Sequence, residues 1–260
     1  MFQAQVQLGI WIPLIGTFFG AACVFFVRRF NIKVKKVLSG FAAGVMVAAS
    51  IFSLIVPSVD LAKETGQLSF LPATIGFLIG IGFLLLIDHL VPHQHVNEDQ
   101  PEGIRSALSK NSKMLLAVGI HNIPEGMAVG VVLAGYISGT SSITIMGALA
   151  LAIGIAIQNI PEGAIISMPL AEDGMKKGHA FLFASLTGIV EPIGTILMIL
   201  FASFLTPALP YFLSFAAGAM MYVVIEELVP EMTDGGHSHY GVIAFAIGFV
   251  LMMILDITLG

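Results

Sequence analysis

Two polar phrases interrupt otherwise apolar stretches of the chain, His121-Asn122-Ile123-Pro124-Glu125-Gly126 and Gln158-Asn159-Ile160-Pro161-Glu162-Gly163. On a helix, residues three and four apart share a face, so His121 and Asn122 align with Glu125, and Gln158 and Asn159 align with Glu162. Each phrase offers one carboxylate beside neutral nitrogen and oxygen donors. Pro124 and Pro161 have no amide hydrogen and leave the carbonyls of Ile120 and Ile157 without their helical partners. Gly126 and Gly163 loosen the helix further and admit a close neighbour. A third carboxylate, Glu191, precedes Pro192 and follows Thr187 by one turn. Three carboxylates, one imidazole and three carboxamides suit a divalent transition metal. Imidazole and carboxylate favour zinc and iron, and the absence of thiolates argues against copper(I). Carboxamides bind weakly, which a site that must release its ion requires.

The surroundings of these residues sharpen the case. Of 260 residues, 57% are hydrophobic and 10% charged, with a mean hydropathy of +0.97, and apolar runs repeatedly exceed the roughly 20 residues that cross hydrocarbon. The expected fold is an all-α membrane protein with eight spans, at about 7–28, 36–57, 70–92, 112–135, 142–169, 179–204, 208–230 and 239–258. Residues 1–260 form a single polytopic domain, with no soluble domain between spans. Arg28 and Arg29 follow the first apolar run rather than precede it, so that run is expected to persist as a span. The single cysteine, Cys23, excludes an internal disulfide framework and a thiolate cage. A charge at the middle of a membrane helix costs about 2.5–3.5 kcal/mol on insertion scales. No Lys or Arg falls in a span core to offset Glu125, Glu162 and Glu191, so metal ions or protons must do so.

Basic residues set the expected orientation. Arg28, Arg29, Lys33, Lys35, Lys36, Arg105, Lys110, Lys113, Lys176 and Lys177 fall on one side of the eight spans, and Lys63 on the other. Both termini are therefore expected outside a plasma or inner cell membrane, with the segments near 29–35, 93–111, 171–178 and 231–238 in the cytoplasm. Phe41-Ala42-Ala43-Gly44-Val45-Met46 in span two recurs as Phe215-Ala216-Ala217-Gly218-Ala219-Met220 in span seven. Those spans run in opposite directions, as do spans four and five with their paired phrases. This predicts inverted repeats, spans one to three related to six to eight and span four to span five, with the substrate site where kinked helices four, five and six meet. Short loops and a net charge of −5 give no indication of a nucleic-acid partner; the partners expected are divalent ions and the lipid bilayer.

Apart from His121, every histidine (His89, His93, His95, His179, His237, His239) falls on the basic side. Asp88, His89, His93, Glu226 and Glu227 are candidates for an inner exit path, with Glu231 close by and neutral imidazole as a ready ligand. Asp60 and Glu64 are the outer candidates. Met46, Met168 and Met220 are read as packing residues that could also line a path for a soft metal.

Taken together, His-Asn-x-Pro-Glu-Gly in span four, Gln-Asn-x-Pro-Glu-Gly in span five, Glu191-Pro192 in span six, eight spans and outward termini resemble the ZIP (ZRT/IRT-like) family of divalent metal transporters, in its bacterial GufA-like branch. The resemblance implies a binuclear metal centre. One site would use His121, Glu125, Gln158, Glu162 and Glu191, the other Asn122, Glu125, Asn159, Glu162 and Glu191, with the three glutamates bridging. It implies transport of Zn(II), often also Fe(II), Mn(II), Co(II) or Cd(II), toward the cytoplasm, by sliding spans one, four, five and six against two, three, seven and eight. No prosthetic group is implied, and a homodimer is a candidate assembly. Where other members carry aspartate, Asn159 is a neutral amide. Two rival readings remain: an intramembrane metallohydrolase, whose His-Glu-x-x-His motif is missing, and an exchanger of hard cations, against which His121 argues.

Overall fold

The computed structural model describes residues 2–26, 31–66, 68–92, 103–104, 106–140, 142–235 and 238–260. Among the described residues, eight helices are long and apolar enough to cross a membrane: span one Gln3–Phe26, span two Ile32–Glu64, span three Phe70–Leu90, span four Asn111–Ile137, span five Ile145–Glu172, span six Lys177–Leu200, span seven Thr206–Thr233 and span eight Tyr240–Leu259. No strand occurs among the described residues. Side-chain caps start several helices: Asn31, Ser109 and Thr144 accept from the backbone N–H three residues on, at 2.9, 3.2 and 2.8 Å. Gly139 and Gly174, at φ 76° and 95°, end spans four and five in the left-handed region that favours glycine.

Glycine stripes decide which helices pair, because a missing Cβ lets two backbones touch. Gly16 and Gly20 of span one abut the backbone of Ala156 and Ile160 in span five. Gly126 and Gly130 of span four abut Glu191 and Thr195 of span six. Gly40 and Gly44 of span two meet Gly241 and Phe245 of span eight, and Gly76 and Gly80 of span three meet Tyr211 and Phe215 of span seven. The pairs joined through glycine are thus one with five, four with six, two with eight and three with seven. Exchanging one to three with six to eight, and four with five, turns each pair into another of the same set. The packing obeys the inverted repeat.

A second sequence echo becomes visible in this frame. Gly80 and Asp88 in span three are spaced like Gly248 and Asp256 in span eight. Asp88 accepts a hydrogen bond from Tyr222 of span seven at 3.0 Å, and Asp256 accepts one from Ser53 of span two. The two contacts join counterpart spans under the same exchange, from different positions on spans seven and two.

Spans two and seven run longer than their apolar cores because Pro57 and Pro230 do not stop them. Each absorbs its proline after a π-helical turn, Ser50–Ile55 and Val224–Leu228. Spans four and five continue as helix through Pro124 and Pro161. Span six instead breaks between Lys177–Thr187 and Val190–Leu200, just before Glu191. The outer faces of spans three and eight expose Leu78, Ile79, Leu85, Leu86, Ile243, Ile247, Ile254 and Ile257, as a lipid-facing surface does. The chain is a multi-pass membrane protein.

Candidate metal centre

His121, Asn122, Glu125, Gln158, Asn159 and Glu191 are buried, and Glu162 is half-buried. Two neighbouring groups form. In the first, Gln158 Nε2 donates to Glu125 Oε1, joining spans four and five, and His121 Nδ1 meets Glu227 Oε2 of span seven. His121, Glu125, Glu162, Glu227 and Glu231 line one narrow cavity of about 20 Å³, with Met46 on its wall; that volume suits a single water or ion. In the second group, Glu191 accepts from Thr17 Oγ1 at 3.2 Å, Asn122 Nδ2 at 3.3 Å and Asn159 Nδ2 at 2.8 Å. The same amides reach the carbonyls of Thr187 and Pro13, at 3.3 and 3.2 Å.

The amide donors in this centre are used, and four oxygens are not. Glu125 Oε2, Gln158 Oε1, Asn122 Oδ1 and Asn159 Oδ1 are buried without a hydrogen-bond partner. Buried oxygens left this way need an explanation, and a cation in each group would supply one. Glu125 lies within electrostatic reach of Glu162, Glu191 and Glu227, and Glu162 within reach of Glu191, Glu227 and Glu231. Among the described residues, none of Glu125, Glu162 and Glu191 pairs with a Lys or Arg. Nor do any three His, Cys, Asp or Glu side chains among them meet at one point; carboxamides separate the carboxylates.

Comparison with known proteins is decisive for the family. The family model described as ZIP zinc transporter matches residues 112–256, a stretch that holds both polar phrases and Glu191. The chain belongs to the ZIP zinc transporter family. It is 34% identical to human zinc transporter ZIP11, over 98% of this chain and 99% of that protein. It is 35% identical to zinc transporter GufA of Myxococcus xanthus, over 80% of this chain and 81% of that one. With zinc transporter ZIPB of Bordetella bronchiseptica it shares 36% identity, over 94% of this chain and 78% of the relative. Membership in the ZIP family removes the hydrolase reading: this is a transporter, not an enzyme.

The remaining residues singled out by sequence distribute unevenly over the ZIP fold. Glu227 turns inward onto His121 and joins the centre itself. Its neighbour Glu226 is exposed, as is His89, while Asp88 is buried against Tyr222. His93, His95 and His237 lie outside the described residues. His179 and His239 are exposed. At the opposite end, Asp60 pairs with Lys63 at 2.9 Å and Glu64 accepts from Ser142. Met168 and Met220 are buried without lining the cavity.

Sequence reasoning missed Thr17, whose place beside Gly16 on the face of span one that meets span five was the available signal. It also counted Lys35 and Lys36 only among the basic residues that set orientation, and the fold buries both. Lys36 sits one turn before Gly40, on the face that packs against span eight, and donates to Ser238 at 3.0 Å. That glycine stripe was the signal for its burial.

Proposed function

We propose that this chain carries zinc across the plasma membrane toward the cytoplasm, through a binuclear intramembrane centre, and that iron, manganese, cobalt and cadmium are further cargoes. The four buried, unpartnered oxygens of Glu125, Gln158, Asn122 and Asn159 carry this reading, because one dehydrated cation in each of the two groups would satisfy them. The names of the relatives, each a zinc transporter, support zinc as the principal cargo. His121, Gln158 and Glu162 beside Glu125 support the first site. Asn122 and Asn159 around Glu191 support the second, whose donors are oxygens and amides and which should hold its ion less firmly. The excess of Lys and Arg on one side supports outward termini.

Uptake into proteoliposomes against a panel of divalent ions tests this directly. Zinc uptake is expected, with zinc outcompeting calcium; calcium winning that competition would favour a hard-cation exchanger instead. Glu125→Ala and Glu162→Ala should each abolish uptake while leaving membrane insertion intact. Near-normal uptake by either variant would contradict a shared-carboxylate centre.

A further inference from the structure

The cavity below the metal centre ends on an ion pair that the transport reading does not use. Lys35, Ser39, Ala42 and Met46 are spaced by four, three and four residues and therefore share one face of span two. Ala42 and Met46 line the cavity, so Lys35 and Ser39 continue that wall toward the start of the span. Glu231 of span seven closes the row: its Oε1 lies 3.0 Å from Lys35 Nζ and its Oε2 accepts from Ser39 Oγ at 2.7 Å. Lys35, Ser39 and Glu231 are all buried. Glu231 also lies in the fields of Glu227, one turn earlier, and of Glu162. Carboxylates thus run from Glu125 and Glu162 through Glu227 to Glu231, and the last of them holds a cation covalently tied to the chain.

We propose that Lys35 is a positioning residue for release: its ammonium is a tethered counter-cation that competes with the transported ion for Glu231 and drives that ion off the end of the cavity. This rests on the transport reading above. An ion reaching Glu231 must displace Lys35, and the returning ammonium displaces the ion. Once the ion has left, the returning ammonium keeps Glu231 from standing as a buried charge without a partner, a condition that otherwise costs several kcal/mol. Lysine suits the task, since it is a point charge on a flexible four-carbon stem, whereas arginine would grip the carboxylate through two parallel hydrogen bonds.

Two measurements test the proposal. In the unaltered purified protein, zinc should raise labelling of Lys35 by a small amine-reactive reagent by about fivefold, the low end of typical coupling between sites. Lys63, paired with Asp60 at an exposed position, should not respond. No zinc-dependent change at Lys35 overturns the proposal. In proteoliposomes, Lys35→Met should lower both the half-saturating zinc concentration and the maximal rate by about fivefold, because the ion lingers on an uncontested carboxylate. Adding Glu231→Gln should restore both, and Lys35→Arg, which holds Glu231 more tightly, should raise the half-saturating concentration above that of the unaltered chain. A fall in rate alone that Glu231→Gln does not restore marks a merely structural pair and overturns the proposal, as do kinetics unchanged in Lys35→Met. Should Lys35→Met fail to insert, the labelling of the unaltered chain decides. Absence of zinc uptake by the unaltered chain overturns the transport reading and this one with it, whereas normal uptake with a silent Lys35 overturns only this one.

Discussion

Glu191 and Glu125 hold equal charges in unequal company. Glu191 takes donors from Thr17, Asn122 and Asn159, while Glu125 takes one, from Gln158. The under-supplied carboxylate lines the cavity, and the well-supplied one does not. His121 supplies the imidazole at that cavity and is held there by Glu227, in the way carboxylates orient and strengthen metal-binding imidazoles. Removing the orienting charge by Glu227→Gln should weaken zinc binding about 10–100-fold, measured as a titration of the purified protein. His121→Ala should instead lower the preference for zinc over manganese in competitive uptake, and an unchanged ratio would count against its ligation. The donors on spans four and five were legible in the sequence because both faces follow from helical spacing alone. Glu227 was legible only as one of a pair with Glu226. The π-helical turn Val224–Leu228 shifts the register there, so simple periodicity could not say which of the two turns inward.

Single glycines set the distances between helices. A methyl group on Gly126 would collide with the backbone of Glu191, whereas one on Gly119, two turns earlier in the same span, would meet nothing within 4 Å. Gly126→Ala should therefore destabilise the protein by about 1–3 kcal/mol through overpacking and displace Glu191 from the centre. Gly119→Ala should be neutral or raise stability by about 0.5–1 kcal/mol through helix propensity. Thermal midpoints in detergent, compared with zinc uptake, check both. Equal effects of the two substitutions would mean that the close approach of spans four and six does not set the site. The break in span six before Glu191 has a related cause. Gly188 packs on Thr17 of span one, so span one both fixes the broken helix and supplies a donor to the carboxylate that follows it.

At the scale of the whole molecule, each of the four glycine-joined helix pairs lies within one of the two blocks that the sliding reading assigns, spans one, four, five and six against spans two, three, seven and eight. If these sets slide as bodies, a bridge between them should arrest transport and a bridge within one should not. In a Cys23→Ala background, Gly154→Cys with Met252→Cys would link span five to span eight, where the two residues touch, and Gly9→Cys with Leu133→Cys would link spans one and four, where a methyl group on Gly9 would lie 3.3 Å from Leu133 Cδ1. Cross-linking the first pair should stop zinc uptake, and cross-linking the second should leave it largely intact. Equal inhibition by both would argue against sliding. Eight spans, their inverted order and the chemical character of the centre were determined by the sequence, because the bilayer demands long apolar helices and a helix repeats its faces at a fixed period. Those are local rules, readable within one span. Tertiary structure alone decided that Thr17 supplies Glu191 across 174 residues, that Glu227 meets His121, and that Lys35 lies buried on Glu231. Such partners are chosen by which small residues let two backbones touch, and no spacing within either partner's own helix records the choice.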